Sequence, residues 1–409
     1  RRFIAPDLAR GLALVGIAMA NLVTDWDPAE KVDHAAGLGG YNGAGTVLEK
    51  ALVFFETLFV HVRGLPMFAT LLGVGVGMIF ASLARRGYPL RARRKVLARR
   101  YGFLFLFGLI HKTLFFTNDI MTAYGIAALL LCLVIGWSDR ALYILAGTVF
   151  AVQAAARAPG IIAAFGTTQE PVGGEPARIT DLGERMSNGI SIVMMYPALA
   201  AIEMMSFLPL VIVGFIWGRR KVFGDLPANR TMFRAWALLA AVLIPAIGIP
   251  WGFAEIGVLG PGWAAGLTDA NHSLGLLTGP GILAAIALVC QPLQARIDAG
   301  GALPPALEPF IALGKRSMSG YLGQTILFML TTQPAFWWVT RDATIAGKLG
   351  WALLVWLATV AGAWALEKAG KPGPFEWLHR RLSYGKNGLP DHYEQVCSTP
   401  VLRGSRTGR

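Results

Sequence analysis

Apolar residues run through this chain in blocks of about the length that crosses a bilayer, ~20 residues, and polar residues gather between them. The blocks fall at 8–24, 49–82, 101–117, 120–136, 141–158, 189–217, 232–250, 273–291, 317–335 and 349–366. They predict ten membrane-spanning helices. The expected fold is all-α, a polytopic transmembrane bundle over 1–372 with a C-terminal amphipathic segment and tail over 373–409. The second and sixth blocks are longer than a span needs. Gly64 and Pro66 predict a break in the second, and Pro197 and Pro209 predict one in the sixth. No small-residue cleavage pattern follows the first block, so it is expected to be a span and not a leader.

Charge fits this pattern and orients it. Of 409 residues 15% are charged and 55% hydrophobic, against roughly 25% charged in a soluble domain. With the N-terminus inside, the inner segments hold 28 of the 37 lysines and arginines. The positive-inside rule then places both termini in the cytoplasm and the chain in the cytoplasmic membrane as a multi-pass protein. The net charge of +13 is accounted for by basic inner loops facing anionic lipid, and no nucleic-acid partner is implied. The outer face comprises 25–48, 159–188, 251–272, 336–348 and the turn at 118–119. Cys132 and Cys290 fall in spans and Cys397 in the tail, so neither a disulfide framework nor a CxxC metal pair is present.

Ionisable residues inside the blocks carry the functional signal, because each costs about 2.5–3.5 kcal/mol on insertion scales. They are Glu56, His61 and Arg63 in the second block, His111 in the third and Glu203 in the sixth. In a continuous helix Glu56 and Arg63 share a face. The set fits either a polar cavity or interhelical ion pairs that fix packing, such as Glu203 with Arg63. His34, His61, His111 and His272 fall in the outer half without HxxxH or HExxH spacing, and no metal is expected. Asp7 and Arg10 can pair at i,i+3. Asn21 follows on the same helix, about 16 Å from Arg10 at roughly 1.5 Å per residue. The stretch "GLIHKTLFFTNDIMTAYGI" (108–126) sets His111 and Asp119 on either side of a short turn. Imidazole and carboxylate can meet there, although an acid at that position also suits a helix cap.

Four stretches together resemble the YeiB family, the membrane proteins of domain of unknown function 418. "DLARGLALVGIAMANL" (7–22) is similar to the family's opening. The 108–126 stretch is similar to its histidine and Asp-Ile turn. "LGKRSMSGYLGQTILF" (313–328) resembles a motif contributing Ser319, Tyr321 and Gln324. "GPFEWLHRRLSYG" (373–385) resembles the C-terminal signature containing Glu376 and Trp377. Ser319-Gly320 stands where Thr-Asn is usual, and Asn21 stands where acyltransferase-3 proteins place a histidine, as an Asn does in the group of heparan-alpha-glucosaminide N-acetyltransferase. The resemblance groups the chain with membrane acyltransferases, including heparan-alpha-glucosaminide N-acetyltransferase. It implies transfer of an acyl group, acetyl foremost, from cytoplasmic acyl-CoA (acetyl-CoA) to an extracytoplasmic glycan or lipid acceptor, with nothing bound covalently.

In that reading His111 is the general base and Asp119 orients it, with His34 on the first outer loop as the other candidate base. The acyl-CoA thioester is expected near Arg10, Asn21 and Arg63. The basic loop 84–100 either holds the CoA phosphates or serves as a positive-inside flank. The 373–385 segment suits an interfacial helix with Trp377 at the headgroups. Partners are then the bilayer, acyl-CoA and the acceptor, with a homodimer left open. A small-molecule transporter and a non-catalytic structural or sensory protein are the competing classes. A transporter should show paired repeats and broken helices at matching positions, and no clear pair is seen.

Overall fold

Four helix starts among the described residues are capped by the side chain of the preceding residue. Thr46 and Glu49 form a reciprocal capping box, Asp119 and Ser138 accept from backbone N–H groups at the starts of the helices that begin at Ile120 and Asp139, and Thr344 does so for the helix that begins at Ile345. The computed structural model describes residues 3–26, 38, 41, 45–166 and 182–393. Among these residues the regular structure is helical, with no strand. In order the helices are α1 (Ile4–Asn21), α2 (Val47–Phe55), α3 (Gly64–Arg85), α4 (Leu90–Leu114), α5 (Ile120–Val134), α6 (Asp139–Phe165) and α7 (Leu182–Arg220). They continue as α8 (Arg230–Glu255), α9 (Pro261–Ser273), α10 (Thr278–Asp298), α11 (Glu308–Lys315), α12 (Ser317–Thr332), α13 (Ile345–Lys368) and α14 (Pro374–Tyr384).

Among the described residues six stretches are long and apolar enough to cross a membrane: Ile4–Thr24, Val47–Arg85, Asp139–Phe165, Arg230–Glu255, Gly262–Asp298 and Ile345–Lys368. The protein is a multi-pass helical membrane protein. Helices α4, α5, α7 and α12 lie where the other four spans were expected. α4 carries Arg99, Arg100 and Lys112 in its apolar part, and α5 and α12 have 15 and 16 residues.

Two expectations change. The 251–272 outer loop is largely helix: α8 runs to Glu255, and α9 leads through a short tight turn into α10, because Gly260-Pro261 restarts the chain as a helix. The sixth block is not broken, since α7 continues through Pro197 and Pro209. The second block does break. α2 widens into a π-helical turn at Glu56–Val60, the chain turns through His61, Val62 and Arg63, and α3 restarts at Gly64. Val62 takes a positive φ of 56°, a strained conformation for a β-branched residue.

Lipid gives helices no hydrophobic reason to associate, so they pack through small residues. α3 and α7 show this most clearly. Gly73 and Gly77 of α3 interlock with Gly214 and Gly218 of α7, and a Cβ at any of the four would collide with a carbonyl of the other helix. The α4–α5 hairpin closes the same way, with Gly108 against Thr122 and Gly125 against the Phe105 backbone. That closure brings the end of α4 onto the start of α5.

Candidate functional site

His111 lies in the last turn of α4 and Asp119 is the N-cap of α5. Phe115 and Phe116 both donate their backbone N–H to the His111 carbonyl at 2.9 Å, and the chain reverses within four residues. Asp119 then does two jobs with two oxygens. Its Oδ2 caps α5, accepting from the Thr122 N–H at 2.9 Å and the Thr122 hydroxyl at 3.0 Å. Its Oδ1 accepts from His111 Nδ1 at 2.8 Å. Capping and orienting are therefore not alternatives here. A carboxylate on Nδ1 fixes the tautomer that leaves Nε2 with its lone pair. That Nε2 meets the Thr325 hydroxyl of α12 at 3.0 Å. His111, Asp119 and Thr325 are each no more than 3% exposed.

The neighbouring polar residues are also accounted for. Lys112 donates to the Thr117 carbonyl at 2.8 Å and lies 4.0 Å from Glu203 of α7. Glu203 accepts from the Tyr196 hydroxyl at 2.6 Å. Glu203 thus pairs with Lys112 and Tyr196 and not with Arg63, because α7 packs on α4 at that level. Aromatic rings cover the imidazole: Tyr321 at 5.5 Å and Phe115 at 5.9 Å between centroids. Phe116 stacks in turn on Trp26, at 4.9 Å. Trp26 ends the π-helical extension of α1, where the first outer loop begins. His34 on that loop lies outside the described residues.

A second polar cluster gathers where the second block breaks. Arg63 donates to the carbonyls of Leu58 and Thr57 and to the Asn271 side chain of α9, at 2.9, 3.2 and 2.8 Å. Asn271 returns a bond to the His61 carbonyl at 3.2 Å. The break also separates Glu56 from Arg63, so the shared helix face expected from their spacing does not form. Both Glu56 oxygens are buried without a hydrogen-bond partner, as is His61 Nε2. The charges of Glu255 and Lys348 lie near Glu56, and the His61 ring meets Trp251 edge-on at 5.7 Å. Glu255 is held by Trp251 Nε1 at 2.7 Å and by the N–H of Leu38 at 3.1 Å. The outer loop therefore leaves the first cluster at Trp26 and touches the second at Leu38.

Arg10 pairs with Asp7 at 3.3 Å, as the spacing suggested, and also donates to the Leu71 carbonyl at 3.1 Å. Arg63 lies eight positions earlier, near the start of α3, so the two arginines occupy different levels, about 12 Å apart along the helix. Asn21 ends α1. The two C-terminal motifs prove to be one structural unit. Glu376 of α14 accepts from the backbone N–H groups of Met318 and Ser319 at 2.9 and 3.2 Å, and from the Ser319 hydroxyl. Ser319 accepts in return from the Phe375 N–H at 3.0 Å. α14 thus caps α12 in trans. Gln324 donates to the Leu14 carbonyl at 3.3 Å and ties α12 to α1. Trp377 is half exposed, under Arg381. Burial and the charge of Arg100 push the His379 imidazole of α14 down to about 4, against the opposing bond it makes to the Arg100 carbonyl. Among the described residues no three His, Cys, Asp or Glu side chains converge as metal ligands.

Sequence reasoning missed Thr325, Thr122, Asn271, Glu255 and Lys348. Thr325 directly follows Gln324 inside a motif that was recognised. Thr122 likewise lies inside the 108–126 stretch, three residues after Asp119, whereas Asn271, Glu255 and Lys348 come from segments remote in sequence and carry no local signal.

This is a helical membrane protein whose residues 217–386 match the family described as "Protein of unknown function (DUF418)". The chain is also 32% identical over 130 residues to "Uncharacterized protein YeiB" of Escherichia coli (strain K12), covering 32% of this chain and 30% of that relative. These findings support the DUF418/YeiB assignment made from the four motifs. The match spans less than a third of the relative's length. No solved structure matches.

Proposed function

We propose that the protein is a membrane acyltransferase in the cytoplasmic membrane, with both termini in the cytoplasm. It moves an acyl group, acetyl foremost, from cytoplasmic acyl-CoA to an extracytoplasmic glycan or lipid. The observation that carries this reading is the buried pair in which Asp119 holds His111 Nδ1 at 2.8 Å and leaves Nε2 on a hydroxyl. Acyl transfer needs a base to take the acceptor's proton, and an imidazole oriented by a carboxylate is suited to that task. Arg10, Asn21 and Arg63 are assigned to the donor's path. The resemblance to acyltransferases supports the reaction type.

A transporter is the second reading, favoured by the broken span with Glu56, His61 and Arg63 at its break. Incubating purified protein in lipid nanodiscs with radiolabelled acetyl-CoA and an envelope extract separates the two. Label in a glycan or lipid product, lost in His111→Ala by about 10²–10⁴-fold, supports the enzyme. No labelled product from folded wild-type protein overturns it.

A further inference from the structure

Thr325 departs from six other helical threonines of this protein. A threonine inside a helix ordinarily satisfies its hydroxyl on the carbonyl four residues back. Thr24, Thr70, Thr113, Thr268, Thr331 and Thr332 do so at 2.7–2.9 Å. Thr325 reaches only 3.3 Å from the Tyr321 carbonyl, and its oxygen lies 3.0 Å from His111 Nε2. The hydroxyl is turned away from its local acceptor and toward the imidazole. Asp119 holds the far side of that ring and is itself held by Thr122. A hydroxyl on a base, with the base oriented by a buried carboxylate, is the arrangement that activates oxygen nucleophiles.

We propose that Thr325 is an acyl-accepting nucleophile, so that transfer runs through an acyl-threonine ester. This rests on the acyltransferase reading and adds a covalent step to it. A lone pair of Thr325 Oγ1 attacks the thioester carbonyl carbon while His111 Nε2 takes the hydroxyl proton. The C–S bond breaks, and the proton passes from Nε2 to the departing thiolate, giving CoA thiol and the ester. In the second half the acceptor's hydroxyl or amine attacks the ester carbon and gives its proton to Nε2. The bond to Oγ1 breaks and the oxygen recovers that proton. No oxidant or reductant is needed. A covalent carrier also lets a cytoplasmic donor and an extracytoplasmic acceptor react without occupying the site together. The 3% exposure of Thr325 protects such an ester from water and favours a small acyl group.

The test uses the full chain in nanodiscs with radiolabelled acetyl-CoA. The reaction is quenched in denaturant, CoA thiol release is followed, and the labelled peptide is located by mass spectrometry. Label on Thr325, kept in Thr325→Ser and lost in the near-isosteric Thr325→Val and in His111→Ala, is expected. Turnover of Thr325→Val should fall by about 10³-fold or more, as when a triad nucleophile is removed. Thermal midpoints of the two Thr325 variants, compared with wild type, show whether each is folded. A folded Thr325→Val that releases CoA at the wild-type rate, or label that maps to another residue, overturns the nucleophile and leaves the acyltransferase reading standing. If wild-type protein neither releases CoA nor takes label, the acyltransferase reading itself falls.

Discussion

The two buried polar clusters of this protein differ in how completely their atoms are matched. Around His111 each side-chain polar atom of the imidazole and of Asp119 has a partner within 3.0 Å. Around Glu56, a carboxylate and an imidazole nitrogen are buried unpartnered, beside a π-helical turn and a valine with positive φ. A fully satisfied network in a low-dielectric interior is rigid and specific, whereas an unsatisfied group there costs free energy. The first cluster is built to hold one geometry. The second stores strain at a break in a span, which a functional or mobile element tolerates.

The largest effect should come from breaking the satisfied cluster. Asp119→Ala leaves the Thr122 N–H, the Thr122 hydroxyl and His111 Nδ1 without their acceptor, and should cost about 3–5 kcal/mol. The loss would appear as a large fall in the thermal midpoint in detergent. A change below about 1 kcal/mol would mean that Asp119 holds nothing in place.

Next comes a pH effect outside both clusters, a control for the comparison. His379 is held to about 4 when folded, against about 6.5 unfolded. Between those values the unfolded chain binds the extra proton. The stabilisation is therefore complete above about pH 6.5, is lost as pH falls, and stops changing below about pH 4. The full loss is at most about 3–4 kcal/mol at roughly 1.4 kcal/mol per pH unit. His379→Gln should flatten that part of the stability profile, and an unchanged slope would contradict the assignment.

Glu376→Ala should cost about 1–2 kcal/mol by removing the cap that α14 lends to α12. Trp377→Ala, on the exposed face of the same helix, should cost less. Equal losses in thermal unfolding would refute the cap.

The smallest effect should be Glu56→Gln, and its sign sharpens the contrast. The carboxylate makes no hydrogen bond, so exchanging it for a neutral amide should be neutral or stabilising by up to about 1 kcal/mol. A loss comparable to that of Asp119→Ala would show that the two clusters do not differ.

Much of this was legible along the chain. Block length gave the helices, and Gly64 with Pro66 marked the break in the second span. His111 and Asp119 could be paired because a short turn separates them. Other features depend on contacts that local sequence does not encode. Thr325 reaches His111 from 214 positions away, and Asn271 reaches Arg63 from 208. The spacing of Glu56 and Arg63 misled, because periodicity assumes a continuous helix and the π-helical turn resets the phase. Ser319 and Glu376 were recognised as motif residues, but only folding shows that they are partners.

The central claim is that His111, held by Asp119, performs the proton transfer. The most direct measurement compares acetyl-CoA-dependent labelling of envelope product by wild type, His111→Ala and His34→Ala, each with matched expression and acetyl-CoA affinity. Loss of about 10²–10⁴-fold in His111→Ala with activity retained in His34→Ala is the predicted result. Near-full activity in His111→Ala with loss in His34→Ala would contradict it and pass the role of base to His34.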